Sequence, residues 1–521
     1  MPDALIKTCL ALIPLLPLLA ALWIAVGFIF GWNRGEAGEK QTRISVIGSL
    51  SISLILILVL DIYYVFQDSF PTETVKLGRW LSSGNIHIDI SFLLDYKSLI
   101  MATLVAFINF LVARFSVNYL HREVGFQRFF MMLSVFSTSM MLIALSGNAV
   151  LTFIAWELAG VSSYLLIAYS WHRDVATINA TRAFVSNRIG DAGFLLGIVF
   201  SLFWFTSVDW IDMSFMITSK IHIGLILFGF ISAALVKSAQ FPFSAWITRA
   251  LEGPTPSSAV FYGSIMVHAG VYLLLRLEPL LTQVPALQLF ILILGVITAC
   301  YAVLVGLVQT DVKSSFMFST LGQVALMFVW IGNGWFELAL AHLVLHAIWR
   351  AYQFLHAPSF MQQVETTMKP VPHWLRKNKW LHDAALQRFW LDGISDWLLT
   401  RPTQSLAHDV QLFDEQVVDR ITGIPSHSNI VRTLSHWEET QQGKTTLSNE
   451  VGKGRGFFGK SLEWLATLSE WFEERLVLKS SGDSLLKVIN VLGGYLEIID
   501  QLLMKPRYVI LLIMATFVLV L

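Results

Sequence analysis

The sequence is short of cysteine, of charged residues and of basic blocks, and each shortage excludes a class of function. The chain has two cysteines in 521 residues. Cys9 and Cys300 lie in apolar stretches without CxxC spacing, so we expect neither a disulfide framework nor a thiolate metal site. Charged residues are 14% of the chain and the net charge is +0, which gives no compositional case for nucleic-acid binding. Because there is no Rossmann fingerprint, nucleophile constellation or cluster-binding cysteine set, we expect no self-contained active site, cofactor or metal.

Long apolar runs are what the sequence does contain. Hydrophobic residues make up 55% of the chain, and runs of roughly 20 apolar residues, enough for a helix to cross a bilayer, recur along it. They predict an all-α polytopic membrane protein, in which residues 9–32 form a retained helix rather than a signal peptide. The predicted spans are 9–30, 44–66, 98–117, 129–145, 149–169, 184–205, 223–246, 257–275, 287–308, 314–331 and 336–354.

The segment after the spans has a different composition. Residues 361–505 are charged and rich in tryptophan, with apolar residues at helical spacing in 389–398 and 462–478. They predict amphipathic helices that lie along the membrane surface or on partner subunits. Residues 508–521 are apolar and predict a tilted terminal anchor.

The basic residues predict the orientation of the chain in the membrane. They concentrate in alternate loops, which should therefore be cytoplasmic. The N-terminus then faces outward and residues 361–505 lie on the cytoplasmic side. The basic residues of these loops are Arg34, Lys40, Arg43, Arg114, Arg122, Arg128, Arg173, Arg182 and Arg188.

Ionisable residues inside the predicted spans carry the functional signal. Each costs about 2.5 to 3.5 kcal/mol at the centre of a membrane helix, so it needs a compensating role. Carboxylate, lysine and histidine on separate spans are what a proton path requires, since each group can hold and release a proton. The candidates are Glu157 in the fifth span, Lys237 in the seventh, His268 in the eighth, and His342, His346 and Arg350 along one face of the eleventh.

Prolines predict breaks in two of these helices. Pro242 follows Lys237 in "KSAQFPF", and Pro254 and Pro256 lie in "GPTPSSA" at the start of the next span. Proline frees backbone carbonyls, and such breaks are tolerated in membranes where they line a polar cavity. We therefore expect Lys237 beside a hydrated helix break.

Seven motifs give the chain a family resemblance. In order, "WELAGVSSYLLI", "AFVSNRIGDAGFLL", "KSAQFPFSAW", "EGPTPSSA", "HAGVYLLLR", "TDVKSSFMFSTLGQ" and "AHLVLHAIWRAYQFL" resemble the NuoL-type antiporter-like subunits of respiratory complex I and their relatives in Mrp cation antiporters. The family's fold has two inverted five-helix bundles, each with a broken helix. The resemblance implies a bacterial inner-membrane protein surrounded by lipid and other subunits. It divides the chain into N-terminal helices (1–125), a first bundle (126–282), a partial second bundle (283–360), an amphipathic region (361–505) and an anchor (506–521).

The resemblance also assigns roles to individual residues. It implies that Glu157 and Lys237 form the charge pair whose separation drives proton movement, with Asp191 nearby. It implies that His342 and His346 connect the two half-channels. The family pattern adds Lys313 as a relay member.

Three features depart from the family pattern. Arg350 stands where the family usually has lysine, and arginine does not give up its proton. Tyr262 occupies the family's histidine position, with His268 six residues further on. The chain turns hydrophilic soon after Phe354, so the second bundle is cut short.

These features lead to three hypotheses for function. The shortened second bundle and the motif "KSAQFPF" resemble DabB-type proteins. These NuoL relatives pair with a large zinc-bearing DabA subunit in inorganic carbon accumulation. We therefore expect a proton-translocating, or alternatively cation-translocating, subunit that energises a DabA-like partner. The alternatives are a NuoL-like subunit of a complex I-type NADH:quinone oxidoreductase and a membrane anchor that does not conduct.

Each site also has a structural alternative. Glu157 and Lys237 can be a buried pair that fixes helix register. His342 and His346 can be core histidines or a metal pair, although "HLVLH" lacks the glutamate of HExxH. Arg188 and Asp191 can be a salt bridge one helical turn apart.

Overall fold

Apolar helices account for most of the structure, which confirms the predicted all-α polytopic membrane fold. A computed structural model describes residues 2–67, 72–84, 86–215, 218–363, 371–413 and 464. Within these residues, ten helices are long and apolar enough to cross a membrane. The ten are α1 (Asp3–Ile29), α2 (Gly35–Val65), α3 (Tyr96–Tyr119), α4 (Phe126–Leu145), α5 (Ala149–Ser170), α6 (Asp174–Phe205), α7 (Lys220–Lys237), α8 (Thr255–Arg276), α9 (Pro285–Gly306) and α10 (Val312–Gly332).

The predicted eleventh span also forms a helix, α11 (Phe336–Gln363), but it is not among these ten. Its histidines, together with Glu337 and Arg350, make it more polar than its neighbours. The shorter helical segments are Trp210–Phe215, Ala245–Arg249, Glu278–Leu281, His373–Lys377, Lys379–Leu386, Arg388–Trp390, Leu391–Ser395, Asp396–Thr400 and Arg401–Phe413.

The helical prediction omits one element, a β-hairpin between α2 and α3. Strands β1 (Glu73–Ser83) and β2 (Ile86–Leu94) pair antiparallel, with Val75 opposite Phe92. The Asn148 side chain, at the start of α5, donates a hydrogen bond of 2.8 Å to the Asp89 carbonyl in β2. The hairpin therefore packs on the connection between α4 and α5. Its signal was the alternation of apolar and polar residues in "IHIDISF", which is typical of a strand.

Two predicted spans are interrupted. Helix α7 ends at Lys237, and the chain turns before the short helix Ala245–Arg249, so the predicted span 223–246 is not continuous. Helix α8 consists of an α-turn, a π-helical stretch (Ala259–Ser264), a 3₁₀ turn and a final α-helix (Ala269–Arg276). Pro242 accounts for the interruption after α7, because proline removes a backbone donor and clashes with the preceding turn. Pro254 and Pro256 lie at the start of α8, ahead of its π-helical stretch.

Helices α6 and α7 approach each other through glycines. A Cβ on Gly229 of α7 would lie 2.6 Å from the backbone nitrogen of Gly197 and 2.7 Å from the carbonyl oxygen of Gly193, both in α6. These are backbone atoms, so only a shift of the helix can relieve such a contact. The close approach holds α7, and with it Lys237, against α6.

We predict that Gly229→Ala destabilises the chain by about 1–3 kcal/mol, because the added methyl overpacks this helix crossing. Gly224 of α7 is the matched control, since a Cβ there meets nothing within 4 Å. Gly224→Ala should leave stability unchanged or raise it by up to about 1 kcal/mol through helix propensity. Thermal unfolding of the purified protein in detergent measures both. Equal melting temperatures for the two variants would contradict the close packing.

Residues 371–400 belong to the same compact unit as the spanning helices. Asp392 accepts hydrogen bonds from Thr248 (3.1 Å), Arg249 (3.0 Å) and Arg388 (2.9 Å). Arg182 of α6 donates two hydrogen bonds of 2.6 Å to Asp396. These contacts fix the start of the amphipathic region to the ends of the spanning helices.

A second unit begins at Arg401, and within it the helix Arg401–Phe413 is described. The predicted anchor at 506–521 and the amphipathic stretch 462–478, apart from residue 464, lie outside the described residues.

Candidate functional site

Lys237 is the last residue of α7, and its side chain is buried within the membrane-spanning part of the fold. The residue is 1% exposed. Its Nζ donates a 3.1 Å hydrogen bond to the carbonyl of Trp156 in α5 and lies 5.0 Å from the centroid of the Trp156 ring. No described carboxylate lies within 4.0 Å of Nζ. A carbonyl dipole and an aromatic face therefore hold the ammonium group in place of a direct counter-ion.

Arg188 gathers the two carboxylates that the sequence had placed near Lys237. Glu157 forms a close ion pair with Arg188, and Arg188 Nε lies 3.4 Å from Asp191 Oδ2. The resemblance implied a pair between Glu157 and Lys237, whereas in this structure the direct partner of Glu157 is Arg188. The expected salt bridge between Arg188 and Asp191, one helical turn apart, is present.

Gly160 makes room for the two cations to face the same space. A Cβ at this position of α5 would lie 3.7 Å from Lys237 Nζ and 3.8 Å from Arg188 Nη2. Lys237 and Arg188 therefore border one small volume, and Glu157 and Asp191 form their ion pairs with Arg188. We name these four side chains the lysine cluster.

Two side chains donate hydrogen bonds to backbone carbonyls at the end of α7. Trp246 Nε1 donates to the Val236 carbonyl at 2.9 Å, and Gln240 Nε2 donates to the Ser238 carbonyl at 2.9 Å. Pro242 lies in the turn that follows, and its own side chain is exposed. Buried backbone carbonyls need partners of this kind, so the break is a built feature of the fold.

The two broken helices touch directly beyond Lys237. Ser238 Oγ donates a 2.7 Å hydrogen bond to the carbonyl of Val267, the residue before His268. In the upstream part of α8, Pro254 caps the turn Thr255–Ser258, and Pro256 lies inside that turn. The contact brings the end of α7 to the segment that carries His268.

Three histidines form a second group, which we name the histidine chain. His268 Nε2 lies 3.0 Å from His346 Nδ1, and the His342 and His346 ring centroids are 6.0 Å apart. His342 Nδ1 accepts from Trp330 Nε1 at 3.1 Å, while its Nε2 lies 3.0 Å from Gln323 Oε1. Because an indole nitrogen only donates, His342 Nδ1 is the acceptor and Nε2 carries the proton.

The pair His268–His346 has no such fixed direction. Either ring can be the donor of the 3.0 Å hydrogen bond. The outer nitrogens, His268 Nδ1 and His346 Nε2, are buried without a described hydrogen-bond partner. A proton that arrives at one outer nitrogen can thus leave from the other after the shared hydrogen bond reverses.

Three further predicted residues lie on α8, α10 and α11. Arg350, one turn beyond His346, donates a 2.8 Å hydrogen bond to Ser319 Oγ. Tyr262 is buried in the π-helical stretch, and its hydroxyl has no described hydrogen-bond partner. Lys313 is half-buried in the first turn of α10. The described residues contain no group of three or more His, Cys, Asp or Glu arranged to hold a metal ion.

Two family profiles match the chain. The profile described as "NADH:quinone oxidoreductase/Mrp antiporter, TM" covers residues 146–371, which include both groups of candidate residues. The profile described as "NADH-Ubiquinone oxidoreductase (complex I), chain 5 N-terminus" covers residues 80–130.

Known proteins resemble the chain over about two thirds of its length. NAD(P)H-quinone oxidoreductase subunit 5 from Carthamus tinctorius chloroplasts is 34% identical over 370 residues, which are 69% of this chain and 49% of the relative. NAD(P)H-quinone oxidoreductase subunit 5 of the Paulinella chromatophora chromatophore is 35% identical over 369 residues, which are 68% of this chain and 54% of the relative. This chain thus spans about half the length of these curated relatives.

A solved structure shares the fold. A chain in the structure of the Mrp complex from Dietzia sp. DQ12-45-1b matches 71% of this chain and 39% of its own length, with a TM-score of 0.60 and 23% identity. Taken with the matched profiles and the order of the broken helices, this likeness assigns the architecture. Over residues 146–371 the chain is thus similar to the transmembrane family of NADH:quinone oxidoreductases and Mrp antiporters.

Proposed function

We propose that this chain is a proton-translocating subunit of a larger membrane complex. The observation that carries the proposal is Lys237, an ionisable side chain that is 1% exposed, ends a broken helix and contacts a carbonyl in place of a carboxylate. Burial of an ammonium group in a membrane is costly, so a purely structural lysine would be expected to have a fixed counter-ion.

The lysine cluster provides a way to switch the charge state of Lys237. Glu157 and Asp191 are held by Arg188, which borders the same space as Lys237. A carboxylate that moves from Arg188 toward Lys237 favours the protonated lysine, and its return to Arg188 favours release of the proton. Arg188 keeps its charge throughout, so it acts as the competing cation and not as a proton carrier.

The histidine chain would carry the proton onward. Ser238 and Val267 join the two helix breaks by a hydrogen bond, and His268 follows immediately. Tyr262, which is buried nearby in α8, is the proposed donor and acceptor at the family's histidine position. Buried polar atoms without protein partners require water, so we expect water molecules to bridge the gap between Lys237 and His268.

Protons suit these groups better than sodium. Sodium and similar hard cations are bound by several oxygen ligands, whereas the proposed path consists largely of nitrogen bases. We propose Arg350 and Lys313 as residues that set the local potential at the end of this path, since arginine does not exchange its proton.

We propose that the protein lies in a bacterial inner membrane, with its N-terminus outward and residues 361–505 on the cytoplasmic side. The basic residues in alternate connections and at the adjoining helix ends support this orientation, whereas Arg182 and Arg188 lie inside α6 and give no support. Residues 126–282 would form the first bundle and residues 283–360 a partial second bundle, followed by the amphipathic region and the anchor at 506–521.

Two partner classes fit the proposal. The names of the curated relatives favour a complex I-type NAD(P)H:quinone oxidoreductase. The motif "KSAQFPF" and the change to hydrophilic sequence soon after Phe354 favour a DabA-like zinc protein of inorganic carbon accumulation. In both cases the chain would supply proton movement and the partner the chemistry.

Purification of the chain from its native membrane in mild detergent, followed by mass spectrometry, tests the partner. Copurified iron–sulfur and quinone-site subunits would establish the oxidoreductase and reject the carbon hypothesis. A single large soluble zinc protein would do the reverse. A chain that elutes alone under several mild detergents would contradict the proposal that it is a subunit.

A further inference from the structure

A polar groove opens along the outer face of α10 and α11. It has a volume of about 580 Å³. Two exposed apolar side chains border it, Leu345 at 71% and Trp349 at 57% exposure. We name it the Arg350 groove, and its polar lining includes Ser319, Gln323, His342, His346, Arg350 and Gln353.

The groove reaches the interior of the membrane. Gln323 is near the middle of α10, which runs from Val312 to Gly332. On α11, His342 and Arg350 are two turns apart, or about 12 Å along the helix axis. Lipid tails offer no hydrogen bonds at this depth, so a row of polar side chains facing lipid would be strongly unfavourable. Another protein surface is the cover that can satisfy them.

Arg350 specifies the chemistry of that surface. Its Nη2 bonds to Ser319, its guanidinium lies 5.8 Å from the Phe316 ring centroid, and its Nε has no hydrogen-bond partner among the described residues. No described carboxylate lies within ion-pair distance of it. A guanidinium buried at an interface in a membrane calls for a carboxylate, which it can bind through two parallel hydrogen bonds.

We propose that the Arg350 groove is the docking site of a transmembrane helix from a partner subunit, and that this helix places an aspartate or glutamate opposite Arg350. Leu345 and Trp349 would pack against the apolar flank of the incoming helix, as large side chains do at the centre of protein interfaces. The inference rests on the part of the proposed function that makes the chain a subunit. It adds the face and the charge by which the partner is recognised.

Site-specific photo-crosslinking in the native complex tests the occupant. A photoreactive amino acid replaces Leu345 in the groove and, as the control, Phe203 on α6, which is 77% exposed. We expect the Leu345 probe to capture a partner peptide from a membrane-spanning segment that contains Asp or Glu, and the Phe203 probe not to capture that peptide. Adducts only with lipid, only with residues 414–521 of this chain, or with a partner segment that lacks an acid would each overturn the inference.

Charge reversal tests the ion pair. Arg350→Glu should lower the amount of partner that copurifies by on the order of tenfold or more, because two carboxylates would face each other in a desolvated site. Arg350→Lys keeps the charge and should reduce it much less. Replacement of the partner's acid by lysine should restore the complex with Arg350→Glu.

A lack of rescue in a complex that still forms with Arg350→Lys would overturn the ion pair. Because these readouts measure assembly and not proton flux, the inference can fail while proton translocation stands, and the reverse also holds.

Discussion

Lys237→Met is expected to abolish proton translocation while the complex still assembles. Methionine has a length similar to lysine and fills the same buried space, but it can neither hold nor release a proton. The substitution also removes the ammonium group that donates to the Trp156 carbonyl and lies over the Trp156 ring. We expect the fold to be kept, because Glu157 and Asp191 retain their ion pairs with Arg188 when Lys237 is replaced.

Lys220→Met is the matched control for this prediction. Lys220 begins the same helix, α7, and is exposed, so its replacement should leave proton flux unchanged. Lys237→Arg separates charge from proton exchange, because arginine keeps the positive charge but does not deprotonate. We expect it to be inactive as well. Flux near the wild-type level with Lys237→Met would favour the non-conducting anchor over our proposal.

His346→Gln is expected to reduce proton translocation by on the order of tenfold or more, a typical loss when a proton-transferring group is removed. Glutamine can still share a hydrogen bond with His268, but it cannot accept and pass on a proton. A hydrogen bond can therefore replace the 3.0 Å contact between His268 and His346, but no proton can be passed along it. Proton flux in reconstituted vesicles measures the effect.

His356→Gln is the control on the same helix. His356 is exposed and stacks on Tyr352, with ring centroids 5.7 Å apart, away from the histidine chain. Its replacement should not change the flux. Equal losses in the two variants would indicate a general effect of changing α11, and an active His346→Gln would remove the histidine chain from the path.

The spanning helices were predictable because the membrane imposes a strong rule on them. An apolar run of the required length has few alternatives to a transmembrane helix, and Lys237 stood out because a charge there is costly. The break after α7 was predictable from Pro242, because proline has a local steric effect that ends a helix.

The pairing of side chains was not predictable in the same way. Glu157 and Lys237 were expected to pair, but Arg188 from α6 reaches Glu157 in the folded chain. Which of two cations meets a carboxylate depends on helix rotation and on the space beside Gly160, neither of which a single sequence specifies. The hairpin between α2 and α3 was missed for another reason. Its alternating pattern is present in the sequence, but the prediction followed the long apolar runs and assigned helices alone.

The boundary of the amphipathic region depends on contacts that are distant in the sequence. Residues 371–400 are polar enough to suggest a separate segment, yet Asp396 binds Arg182 of α6 and Asp392 binds Arg249 of the short helix after α7. Composition changes near 361, while the compact unit continues to Thr400. Such long-range ion pairs leave no periodic pattern, so the packing of this segment required the structure.

The most direct test of the account is ion uptake by the purified native complex in sealed vesicles. A membrane potential would be applied while pH-sensitive and sodium-sensitive dyes report the interior of the vesicles. We predict potential-driven acidification without sodium uptake, and loss of the acidification when the complex carries Lys237→Met. Sodium uptake without a pH change, or acidification that persists with Lys237→Met, would contradict proton translocation through Lys237.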